Sequence, residues 1–111
     1  MDDLTNELQY LLVSMYNEVI SRQPALSMEK ANYFPDSDEI KDMFLPDSSS
    51  DYVADLCWKL KSKGYISCEP GDDLANDIRL EDSAIIHMEH RFSNGAKSVI
   101  DFLLKIKSLL P

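Results

Sequence analysis

His87 and His90 stand three residues apart with Glu89 between them. On a helix this spacing turns both imidazoles to one side, where they could share a metal ion. Two ligands are fewer than the four of a structural zinc site. Neither zinc-type cysteine spacing nor a His-Glu-x-x-His run supplies the rest. The two histidines therefore read as solvated neighbours of Glu89 and Arg91. Cys57 could act as a nucleophile with one of them, but it lies on an apolar helical stripe, where a thiol is buried and inert. With three glycines in the chain, no glycine-rich phosphate loop is present. Carboxylates are abundant, yet they gather at helix starts and in turns, where capping and the helix dipole account for them without acid–base chemistry. The expectation is a protein that is not an enzyme and uses no metal or cofactor.

Charge is the strongest global signal. Twenty acidic residues oppose eleven basic ones in 111 residues, a net charge of −9. Lysine and arginine contacts to phosphate supply most non-specific nucleic-acid affinity, so this balance disfavours a general DNA or RNA binder and favours basic partners. The charge is uneven: residues 70–91 sum to −4 and residues 92–111 to +2.

No run reaches the roughly 18 apolar residues of a membrane span. Asp2 and Asp3 open the chain where a secretory leader would be basic and then apolar. Cys57 and Cys68 fall short of a disulfide framework and read as a reduced pair, which places the protein in the cytoplasm.

The elements that must position these residues follow from periodicity. Leu4, Leu8, Leu11, Leu12, Met15 and Val19 mark a helix over 4–20, closed by Arg22 and Pro24. Residues 25–35 keep no period and fit a short strand or an irregular connection. A short helix over 37–45 is capped by Asp36 or Ser37. A longer one begins at Ser49 or Ser50, carries Val53, Leu56, Cys57 and Leu60 on one stripe, and ends at Gly64. Tyr65, Ile66 and Cys68 form a strand, and Ile78, Arg79 and Leu80 a second, with a loop over roughly 69–77 signalled by Pro70-Gly71-Asp72-Asp73. A helical stretch over about 82–110 follows, with a bend or short interruption at Ser93-Asn94-Gly95.

The run from Ala54 to Ile66, with its Lys63-Gly64-Tyr65-Ile66 exit, resembles the third helix and first wing strand of winged-helix (winged helix-turn-helix) domains. The segment from Ile78 to Ile85 resembles the second wing strand and the helix after it. The resemblance covers about residues 4–90. It implies an α+β, mostly helical single domain over 1–111, with a three-helix core, a two- or three-stranded β-hairpin wing and a C-terminal amphipathic helix. It also implies a DNA-binding surface made by the third helix and the wing. On that surface this chain departs from the pattern, because Asp51, Asp55, Asp72, Asp73 and Asp77 occupy positions where phosphates would come.

Two functions are therefore expected. The first is a non-catalytic acidic inhibitor of the immunity or antitoxin type that neutralises a basic partner such as a toxin nuclease. Its partner-binding residues would be Asp51, Tyr52, Asp55, Trp58, Asp72, Asp73 and Asp77, with the two aromatics as anchors. Trp58, off the apolar stripe of its helix, is either such an anchor or the floor for a neighbouring element. The alternative is a winged-helix transcriptional regulator, a dimer whose Lys59, Lys61, Lys63 and Arg79 converge on DNA. The wide apolar surface of the last helix, including Phe102, Leu104 and Leu109, allows a homodimer.

Overall fold

A computed structural model describes residues 1–110, so the final position of the expected 1–111 domain lies outside the described residues. The architecture is α+β and mostly helical. Helix α1 (Asn6–Ser21) starts where Thr5 Oγ1 accepts the Leu8 N–H at 3.2 Å. Its stripe of Leu8, Leu11, Leu12, Met15 and Val19 is buried, and so is Tyr16 on a second side. Arg22 just beyond it does more than complement the helix dipole. Its guanidinium pairs with Glu18 at 3.0 Å, donates to the Ala31 and Tyr33 carbonyls at 2.9 and 2.8 Å, and lies 4.8 Å from the centre of the Phe34 ring.

The aperiodic stretch resolves into a single helical turn, α2 (Met28–Ala31), and a strand of three residues, β1 (Phe34–Asp36). Between them Asn32 is buried. Its amide donates to the Leu80 carbonyl at 2.9 Å and accepts the Leu80 N–H at 2.8 Å. Helix α3 (Ser37–Phe44) is capped by Asp36, which accepts the Glu39 N–H. Ser37 is then free to accept the Ala75 N–H. Helix α4 (Ser50–Ser62) is capped by Ser49, and Ser50 donates to Asp38 across to α3. Gly64 ends α4 at φ +85°, a conformation that side chains with a Cβ disfavour.

Strands β2 (Ile66–Gly71) and β3 (Leu74–Leu80) complete an antiparallel sheet of order β1-β3-β2. The expected loop over 69–77 contracts to two residues, Asp72 and Asp73, both at positive φ (54° and 62°). Pro70 is tolerated inside β2 because that strand is at the sheet edge, where a missing N–H costs no ladder bond. The β2–β3 register shifts by one residue between Ser67 and Glu69, opposite Asp77, which also has positive φ (51°).

The bend or short interruption expected near 93–95 is an interruption, and the stretch over 82–110 forms two helices, α5 (Asp82–Arg91) and α6 (Ala96–Lys107). Gly95 sits at φ +80°, outside the helical region. Phe92 turns inward to stack on Tyr16 and meet Phe102 edge-on, so α6 folds back along α1. Among the described residues no helix is long and apolar enough to cross a membrane.

Candidate functional site: the groove between α4 and the β2–β3 turn

Helix α4 has two faces. Val53, Leu56, Cys57 and Leu60 point into the core. Asp51, Ala54, Asp55 and Trp58 recur at three- and four-residue steps on another face, which looks across at Pro70, Gly71, Asp72, Asp73 and Leu74. Between helix and turn runs an open groove of about 760 Å³. Asp51 and Asp55 supply carboxylates from the helix wall, and Asp72 and Asp73 from the turn. Ala54, small and buried, keeps the floor low between them.

Trp58 is half-buried and packed on the core, so its ring is held in place along the groove. Lys61 Nζ lies 5.4 Å from the ring centre and donates to the Cys68 carbonyl at 2.7 Å. The indole therefore packs on the core and also lines the groove.

Five of the seven expected binding residues come together here: Asp51, Asp55, Trp58, Asp72 and Asp73. Tyr52 does not. One residue along α4, its hydroxyl lies toward Glu7 of α1, whose carboxylate, together with burial, pushes its pKa up to about 12. Asp77 does not either. The irregularity in β3 breaks the alternation of side chains, and its carboxylate accepts the Tyr33 hydroxyl at 2.8 Å. Pro70, Gly71 and Leu74, which form the turn side of the groove, escaped the sequence reading, although the Pro-Gly-Asp-Asp turn signal marked their place.

The bases needed for a phosphate grip are mostly committed elsewhere. Arg79 stacks on Tyr33 at 4.8 Å and donates to the Glu29 and Asn32 carbonyls at 3.0 and 2.9 Å. Lys59 pairs with Asp55 at 3.3 Å, and Lys61 is engaged as above. By its two carbonyl bonds Arg79 is held against the stretch between α2 and β1.

His87 and His90 are both exposed on α5, and among the described residues no three His, Cys, Asp or Glu side chains gather to hold a metal. Cys57 is fully buried, and desolvation pushes its thiol up to about 12. Burial raises Cys68 as well. A thiol held neutral in this way is a poor nucleophile near pH 7. Neither models of known families, nor curated proteins, nor solved structures match this chain.

Proposed function

We propose that this protein is a non-catalytic winged-helix domain that captures a basic protein, in the manner of an immunity or antitoxin-type inhibitor seated in the phosphate-binding cleft of a nuclease. The winged-helix reading is supported by the element order and the sheet order β1-β3-β2, with α3 and α4 between the first two strands in sequence. The α4–turn groove is the site, and an arginine side chain from the partner is the occupant its chemistry suits. A guanidinium stacks on an indole through its flat face and offers its N–H fork to carboxylates on either side.

One observation carries this reading. A two-residue hairpin turn with both central residues at positive φ is best served by Asn-Gly. Here aspartates occupy both positions and face a helix wall that already holds two more. The turn thus sacrifices backbone ease, and adds like charge, at the mouth of a groove. Such strain at a surface site points to use rather than to stability.

The test separates the two roles. Asp72→Asn with Asp73→Gly is expected to stabilise the domain by about 0.5–1 kcal/mol in urea melts. It is also expected to weaken binding of an arginine-rich peptide about tenfold. Trp58 is the sole tryptophan, so its fluorescence reports this groove alone. A variant that gains stability and binds the peptide as tightly as the parent would refute the site.

A further inference from the structure

Three lysines gather at the end of α4, and their side chains go different ways. Lys59 turns back to Asp55 on the same helix at 3.3 Å. Lys63 is exposed at the C-cap. Lys61 reaches off the helix to another element. Its Nζ donates to the Cys68 carbonyl on β2 at 2.7 Å and lies 5.4 Å from the centre of the Trp58 ring.

Helix spacing accounts for the nearness of Trp58 and Lys61, which stand three residues apart, but not for where the ammonium stops. A lysine head on its flexible four-carbon stem takes no fixed place in water. Here a carbonyl fixes it. Strand β2 is at the edge of the sheet, so a lysine from the neighbouring helix can reach its backbone. A hydrogen bond from an ammonium is stronger than a neutral one. This bond joins the two sides of the groove. Trp58 belongs to the helix wall, and Cys68 stands two residues before Pro70, where the turn wall begins. Trp58 lines the groove and Lys61 does not, so the ammonium holds the ring without filling the space.

We propose that Lys61 is a positioning residue for this groove: it fixes the indole of Trp58 and ties α4 to β2, so that the helix wall and the turn wall keep their separation. The proposal rests on the groove reading above and adds the residue that holds the groove in shape. The sign of one effect separates this role from that of a plain surface charge. A cation beside an acidic groove opposes a cationic guest, so removing a lysine that is only a charge tightens capture. Removing a lysine that holds the aromatic wall weakens capture, although a repulsive charge is lost with it.

Lys61→Met, Lys61→Arg and Lys63→Met in the full chain test it. Methionine keeps an unbranched stem and a similar helix propensity but gives up the ammonium. Arginine keeps a cation that both donates and stacks. Lys61 and Lys63 are exposed, so all three variants keep the fold. In the free protein, acrylamide quenching of Trp58, the sole tryptophan, is expected to rise in Lys61→Met and to stay at the parent value in the other two. Lys61→Met is expected to bind the arginine-rich peptide about fivefold more weakly than the parent, and Lys61→Arg to match the parent. Lys63→Met should bind as tightly as the parent or up to about threefold tighter. Unchanged quenching in Lys61→Met overturns the proposal. So does a Lys61→Met that binds as Lys63→Met does, or a loss that arginine fails to restore. A parent that binds no peptide refutes the groove reading alone, and the quenching of the free protein then decides the role of Lys61 by itself.

Discussion

Exchanging Asp72 and Asp73 for lysine is expected to weaken capture of an arginine-rich peptide at least about a hundredfold, roughly 3 kcal/mol. The effect exceeds that of neutral replacement because two attractive charges become two repulsive ones at the mouth of the same groove. Losses of this size are typical where a charge directly facing the partner is reversed, whereas rim charges shift association rate and salt dependence more than affinity. The residual binding should also respond less steeply to added salt, since exposed charge pairs are screened within about 8 Å at physiological ionic strength. Asp77→Lys is the internal control. Its carboxylate accepts the Tyr33 hydroxyl away from the groove, so its reversal should change peptide affinity by less than about threefold. Trp58→Phe tests the aromatic wall separately. It keeps an apolar ring against the core but gives up indole area and cation–π strength, and should cost about tenfold.

The largest effect on stability belongs to Asn32. Strand β1 ends its pairing with β3 at Phe34 opposite Ile78, so Leu80 on β3 has no backbone partner on that side. The Asn32 side-chain amide takes the place of the missing strand residue, donating to the Leu80 carbonyl and accepting its N–H. Asn32→Leu removes both bonds within a similar volume and leaves two buried backbone groups unsatisfied. The expected loss is about 2–4 kcal/mol, read as a lower urea midpoint. The same change should loosen Arg79, which is held by the Asn32 carbonyl. If the midpoint moved by less than about 0.5 kcal/mol equivalent, water would have to be satisfying Leu80 and the amide bridge would be dispensable.

How far this structure was legible in the sequence differs between elements for physical reasons. The long helices were read from periodic apolar residues, because a helix against a core must repeat every three or four positions. Their caps were narrowed to neighbouring pairs such as Asp36 or Ser37, and the structure uses both residues in each pair for different bonds. At residues 93–95 the sequence marks a bend or an interruption without deciding between them. A single glycine costs a helix only about 1 kcal/mol, and what ends α5 is a long-range event, the burial of Phe92 between Tyr16 and Phe102. Hairpin length was misjudged for a related reason. Pro70 and Gly71 look like turn residues, but an edge strand tolerates both, the ladder closes with Gly71 opposite Leu74, and the Asn76 side-chain amide donates to the Gly71 carbonyl at 2.9 Å.

The candidate site was legible where it depends on helix spacing. Asp51, Asp55 and Trp58 share a face by arithmetic alone. It was not legible where one residue decides direction. Tyr52 sits beside Asp51 yet turns to Glu7, and a register shift redirects Asp77. Net charge does not say which bases are free. Arg79 and Lys61 read as available cations, and only their three-dimensional neighbours show that carbonyls and rings already hold them.

The most direct test sets two ligands against one reporter. Trp58 fluorescence is followed while the full chain is titrated, separately, with an arginine-rich peptide and with duplex DNA at physiological salt. Capture of a basic protein through the acidic groove requires a saturable, salt-sensitive change with the peptide and none with the duplex. A saturable change with the duplex and silence with the peptide would contradict it.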